Sequence, residues 1–207
     1  TQVNTTVSRL TVGELPGIAE ILKAKGVATW EVFFLVPVGR GALLQSLSPE
    51  EYEEVMHLLY ELSRRYPFKV RTTEGPMFRR VVLQRRAKEG EEDGALVGAG
   101  RGVHLSDGLG FVFVSSTGEV YPSGFLPLSA GNVRERPLLE IYRQSPLFLA
   151  LRDKTRLKGK CGLCEYKEIC GGSRARAFAE TGDYLAADPR CAYTPRTNAP
   201  GPAPLHG

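Results

Sequence analysis

Three of the four cysteines of the chain fall within ten residues, Cys161, Cys164 and Cys170 in CGLCEYKEIC, and the fourth is Cys191. A deprotonated thiol is a soft anionic donor, so four of them drawn from one loop and one return point can surround a metal centre. Two other readings stand beside this one. Unrelated buried thiols do not explain the 161/164/170 spacing. A disulfide framework suits a small secreted chain with a signal peptide, and the sequence opens on no such segment. Among metals, structural zinc favours two Cys-x2-Cys pairs, whereas here Cys170 and Cys191 each stand alone. Iron-sulfur clusters accept less regular spacings, so the pattern favours a cluster and leaves zinc open. Gly162, Gly171 and Gly172 permit tight turns close to sulfur. Lys160, Lys167, Arg174 and Arg176 can offset the negative charge of a thiolate-ligated cluster, although Arg176 and Phe178 also fit a solvated helix face.

The elements that must position this loop begin far upstream. QVNTTVS (2–8) alternates like a strand, and ELPGIAEILKAKGV carries Leu15, Ile18, Ala19 and Leu22 at helical spacing, closed by Lys25 and Gly26. The apolar run Val32 to Val36 predicts a strand buried on both faces. Ser48, Pro49 and Glu51 form a capping box ahead of a stripe, Tyr52, Val55, Met56, Leu59, Leu62 and Tyr66, which predicts a long helix. Strand, helix, strand, helix is the grammar of a parallel α/β architecture. Two such units cannot close a barrel; they can complete one begun earlier.

From Phe68 the grammar changes. FKVRTTEG and FRRVVLQRR both read as strands, and residues 87–102 as a charged, glycine-rich mobile loop. GFVFVSSTGEVYPSG predicts a hairpin, with Phe111 to Val114 and Glu119 to Tyr121 flanking Ser116-Thr117-Gly118. RPLLEIYRQSPLFLALRD predicts two short helices, the second capped by Ser145 ahead of Pro146. A soft boundary near 95 divides the chain into 1–95, 96–195 and a disordered tail, 196–207.

A chain of 207 residues can bury one ordinary core or two small ones, so the cysteines serve a local task rather than holding it compact. A net charge of +4 is too small to argue for nucleic acid, and no apolar run reaches membrane-span length, so no nucleic acid, no membrane and a cytoplasmic location are expected. His57 lies within the long helix and His206 in the tail, neither with an expected role; His104 fits a turn or the edge of a substrate cavity.

The stretch CGLCEYKEICGGSRARAFAETGDYLAADPRCAYTP closely resembles the C-terminal cluster-binding segment of radical S-adenosylmethionine (radical SAM) enzymes with a SPASM-type domain. The likeness extends through GEVYPSGFLPLSAGNVRE and, more loosely, VNTTVSR and FFLVPVGRG, which look like the last two strands of the family's partial (β/α)6 barrel. The fold this implies is α/β: C-terminal βα units of that barrel, then a SPASM-like hairpin and a helical cluster-binding module. Full SPASM domains carry seven cysteines and two auxiliary clusters. Here Arg174 and Ser123 stand where many relatives have cysteine, and the remaining four match the ligands of the second auxiliary cluster.

The resemblance therefore implies one auxiliary [4Fe-4S] cluster on Cys161, Cys164, Cys170 and Cys191, supporting radical modification of a peptide or tetrapyrrole-type substrate. It places Asn4, Ser8, Val36 and Arg40 near an S-adenosylmethionine cleft; Thr6, Leu35 and Pro37 belong to the same two strand ends. No residue is assigned a catalytic role. The family's Cys-x3-Cys-x2-Cys motif is missing from this sequence. S-adenosylmethionine and a second [4Fe-4S] cluster thus belong to a complete enzyme, in which the partner is an N-terminal barrel half on the same or a separate chain. Alone, this chain is expected to be inactive. The rival readings are a zinc-stabilised, non-enzymatic interaction module and a docking subunit of a split radical enzyme.

Overall fold

The computed structural model describes residues 1–91 and 105–196. The mobile loop, the boundary at 95 and the tail expected from the sequence fall wholly or largely outside these residues, as do His104 and His206. The chain forms two compact units, Thr1–Arg101 with Arg190–Tyr193, and Gly102–Pro189 with Thr194–Gly207.

In the first unit, β1 (Gln2–Val7), β2 (Thr29–Phe34) and β3 (Lys69–Thr73) form a parallel sheet in that order. The helices α1 (Leu15–Ala24), α2 (Pro49–Arg65) and α3 (Met77–Lys88) each follow one strand. Ser48 accepts from the Glu51 N–H while Glu51 accepts from the Ser48 N–H, so the expected capping box starts α2. The stretch FRRVVLQRR is helix α3, not a strand. Met77, Phe78, Arg80, Val81 and Leu83 are buried along it, and Arg80 gives two hydrogen bonds to the Glu53 carboxylate on α2. The βα grammar thus runs for a third unit past Phe68.

The middle strand is not buried evenly on both faces. Trp30, Val32 and Phe34 are buried, while Thr29, Glu31 and Phe33 between them are half-buried. One face packs against helices and flanking aromatics: Phe34 lies 5.3 Å from Tyr52 of α2, and Trp30 meets Phe68 edge-on at 5.9 Å. Burying one side chain of this size contributes about 1.5–3 kcal/mol, which explains why helices collect on that side. The opposite face carries, in register, Asn4 beside Glu31 beside Arg71, and Thr6 beside Phe33 beside Thr73. Asn4, Thr6 and Arg71 there are exposed, and Thr73 donates to Glu31 at 2.8 Å.

The second unit opens on an antiparallel sheet, β4 (Phe113–Val114), β5 (Glu119–Tyr121) and β6 (Gly131–Asn132). The first two are the expected hairpin, with β4 shorter than Phe111–Val114. The two helices expected next are α4 (Leu138–Gln144) and α5 (Pro146–Arg152). Ser145 holds the N-cap position of α5 but makes no side-chain capping bond there. Val120, Ile141 and Phe148 form a buried core for these elements. Two helices complete the unit, α6 (Gly159–Leu163) and α7 (Arg174–Thr181). Among the described residues no helix is long and apolar enough to cross a membrane.

Candidate metal centre

Cys161 lies on α6, buried against Leu157 and Leu185, whereas Cys164 and Cys170 are half-exposed on the loop that follows. The loop is pinned by its own backbone. Lys167 N–H donates to Cys164 O at 3.1 Å and Cys170 N–H to Tyr166 O at 2.9 Å. Gly171 and Gly172 then both take left-handed conformations, φ 65° and 68°, which side chains disfavour. A Cβ on Gly172 would lie 3.2 Å from Cys161 Sγ and 2.5 Å from the Arg174 guanidinium, so the chain can pass the sulfur only as glycine. No disulfide joins any of the four cysteines. Cys191 belongs to the segment Arg190–Tyr193, where Arg190 donates to Leu47 O at 3.2 Å and Arg80 stacks on Tyr193 at 4.6 Å. Among the described residues no three His, Cys, Asp or Glu side chains are grouped so that they could hold a metal ion.

The surroundings of Cys161 fit a thiolate ligand. Its sulfur accepts from the Asp188 N–H at 3.4 Å and from Arg174 Nη2 at 3.8 Å. Arg176, which the sequence allowed on a solvated helix face, is instead fully buried. Its guanidinium makes a bidentate pair with Asp188, Nε to Oδ1 at 3.0 Å and Nη2 to Oδ2 at 2.7 Å, both side chains 0 % exposed. Asp188 Oδ2 also accepts the Ser173 N–H at 2.8 Å, and Ser173 Oγ caps α7 by accepting from the Arg176 N–H. Of the other cations expected near the loop, Lys167 donates to Gly162 O at 3.3 Å.

Ser123 and Arg174, the positions at which the resemblance led cysteine to be expected, lie in a buried polar group around Asp107. The Asp107 carboxylate accepts the Ala175 N–H at 2.9 Å. Burial pushes its pKa up, against the pull of Ser123, the Ala175 N–H, Arg174 and Lys154. Sequence reasoning assigned no role to Asp107 or Asp188. Asp188 stood within the quoted DPRC ending; Asp107, between glycine-rich stretches, carried no local signal.

The residues expected near S-adenosylmethionine are distributed along the first unit. Asn4 is exposed on the uncovered sheet face and accepts from Gln2 at 2.8 Å. Ser8, just past β1, is buried, and its N–H donates to Thr11 Oγ1 at 3.0 Å. Val36 is buried just past β2, and Arg40 is exposed in the 3-10 turn Gly39–Leu43. His57, on α2, lies 3.5 Å from Glu53.

No family model matches the chain. It is 43 % identical over 196 residues to an AdoMet-dependent heme synthase of Methanosarcina barkeri, a match covering 94 % of this chain and 56 % of that protein. A PqqA peptide cyclase of Methylocella silvestris is 41 % identical over 87 residues, 40 % of this chain and 23 % of that protein. The chain thus spans about half the length of the heme synthase and matches the cyclase over a shorter stretch. Among solved structures, Streptococcus suis SuiB bound to S-adenosylmethionine superposes with a TM-score of 0.54 and 14 % identity, over 93 % of this chain and 45 % of that one. At that identity the likeness is one of fold.

Proposed function

We propose that the chain is part of a radical SAM enzyme of the heme-forming kind, and that it binds one auxiliary [4Fe-4S] cluster through Cys161, Cys164, Cys170 and Cys191. The observation that carries this is the similarity to an AdoMet-dependent heme synthase along 94 % of the chain, through both compact units and the whole cysteine segment. The match to a peptide cyclase stops at 40 % of the chain, which favours a tetrapyrrole over a peptide as substrate. The donors on Cys161 Sγ, with the consecutive left-handed glycines beside it, suit a loop that wraps a large anionic cluster.

In this reading the parallel sheet is the last part of a partial barrel. Its uncovered face, with Asn4, Glu31 and Arg71 in register, is the inner wall, and Ser8, Val36 and Arg40 stand past the strand ends where such barrels hold ligands. A single auxiliary cluster is in keeping with Ser123 and Arg174, which the resemblance puts at positions of cysteine in many relatives and which here join Asp107 in a buried polar group. When bound, the cluster supplies a one-electron redox centre or a rigid clasp for the loop. The four cysteines would hold it, with the Asp188 N–H and Arg174 donating to the Cys161 sulfur.

Cleavage of S-adenosylmethionine needs the three-cysteine motif that these 207 residues lack. The test is to reconstitute the chain with iron and sulfide, then assay it alone and with a polypeptide carrying Cys-x3-Cys-x2-Cys from the same genome. Reductive cleavage and turnover of an iron tetrapyrrole only in the combined sample is the expected result. Tetrapyrrole-independent turnover of a peptide would redirect the assignment to a peptide-modifying enzyme.

A further inference from the structure

Arg71 stands on β3, level with Asn4 of β1 and Glu31 of β2, on the sheet face those two residues share. It is exposed and makes no hydrogen bond or ion pair among the described residues. The acid placed to match it is its neighbour in register, Glu31. That carboxylate instead accepts from Thr73 Oγ1 at 2.8 Å. Lys69, two residues before Arg71 and on the same face, is likewise exposed and unmatched among the described residues. Across the paired positions of the three strands this face thus carries two cations and one carboxylate, and the carboxylate is engaged by a hydroxyl. Arginines on the neighbouring helices behave differently. Arg64 pairs with Glu91, Arg80 with Glu53 and Arg85 with Glu61. Counter-charges are supplied around α2 and α3, and not on the face that carries Arg71.

We propose that Arg71 binds a carboxylate side chain of the substrate. This role rests on the tetrapyrrole reading above, in which the face is an inner wall. A guanidinium enclosed there loses water and needs an anion in its place. Porphyrin-type tetrapyrroles carry carboxylate side chains, and these supply the missing charge. The planar fork of arginine meets a carboxylate with two parallel N–H donors, a geometry that a lysine ammonium does not reproduce. Lys69 lies about 6.6 Å further back along the strand. On an edge strand such as β3, a lysine also discourages pairing with another chain. Lys69 therefore adds charge to the face without the paired donors, and it separates recognition of a carboxylate from general attraction of an anion.

The test is calorimetric titration of iron coproporphyrin III, and separately of S-adenosylmethionine, into the chain combined with the polypeptide that carries Cys-x3-Cys-x2-Cys. The parent is compared with Arg71→Gln, Arg71→Lys and Lys69→Gln. Both positions are exposed, so thermal unfolding of each variant should match the parent. The expected result is a Kd for the porphyrin raised about tenfold or more in Arg71→Gln, the scale of a hydrogen bond to a charged group. The rise is smaller in Arg71→Lys and slight in Lys69→Gln, and S-adenosylmethionine binds all four samples alike. A porphyrin Kd in Arg71→Gln equal to the parent's overturns the proposal. So does an equal loss in Lys69→Gln, which marks general attraction by a charged face. A loss confined to S-adenosylmethionine assigns Arg71 to that molecule's carboxylate and overturns the proposal as well. A parent sample that binds no iron coproporphyrin III overturns the tetrapyrrole reading itself, and is recognised before any variant is made.

Discussion

Arg176 and Asp188 form a bidentate ion pair from which water is wholly excluded, and the backbone N–H of the same Asp188 lies 3.4 Å from Cys161 Sγ. The pair therefore fastens α7 to the return loop that borders the candidate ligand. Asp188→Ala leaves a buried guanidinium without its counter-charge, and removal of one partner of such a pair costs about 3–5 kcal/mol. Denaturant unfolding should show a loss of that size together with reduced iron uptake. A loss below about 1 kcal/mol, the scale of an exposed pair, would contradict this account of the pair.

Two glycines make a matched test of backbone packing around the loop. A Cβ at Gly162 would lie 2.1 Å from Leu157 O and 2.9 Å from its carbonyl carbon, so Gly162→Ala must displace backbone next to Cys161. Overpacking of this kind costs about 1–3 kcal/mol. Gly17 in α1 has nothing within 4 Å of the same added atom, and Gly17→Ala should stabilise by about 0.5–1 kcal/mol through helix propensity. Thermal unfolding of the two variants should move in opposite directions, with iron binding impaired only in Gly162→Ala.

Alkaline stability should depend on Tyr60. Burial, followed by its hydrogen bond to Glu89 at 2.6 Å, raises the phenol pKa to about 12. An unfolded tyrosine titrates near 10, with pKa about 10. The folded state therefore keeps a proton that the unfolded state releases first. The stabilisation is complete below the unfolded pKa and is lost as pH rises through that of the folded state. Stability should fall across this window in the parent protein, and Tyr60→Phe should flatten the fall. An unchanged alkaline slope in Tyr60→Phe would assign the effect to another group.

Where the sequence was readable, the signal was local. The capping box at Ser48 and Glu51 and the stripe from Tyr52 to Leu62 lie within one helix, so α2 could be drawn without knowing its partners. The segment FRRVVLQRR could not. Its Val81, Val82 and Leu83 resemble a short strand, and the face that makes it a helix includes Arg80, whose burial depends on Glu53 in α2, 27 residues earlier. Arg176 failed in the same way, because its partner Asp188 lies 12 residues on, across a turn. Apolar periodicity reports what faces a core. It does not report a charge buried by a distant counter-charge, and such charges surround the candidate site.

The uneven burial of β2 has a similar origin. Val32 to Val36 is apolar throughout, but within β2 burial alternates, with Trp30, Val32 and Phe34 buried and Thr29, Glu31 and Phe33 only half-buried. Composition alone does not reveal which face is the buried one. The register of Asn4, Glu31 and Arg71 does, because polar residues from three strands align on the uncovered side.

The central claim is that the thiolates of Cys161, Cys164, Cys170 and Cys191 share one iron-sulfur centre. Anaerobic reconstitution of the chain with iron-57 and sulfide, read by Mössbauer spectroscopy beside metal analysis, tests it most directly. The account predicts a brown protein with one cubane per chain, lost on substitution of any of the four cysteines by alanine. A colourless protein that holds stoichiometric zinc and takes up no iron would contradict it.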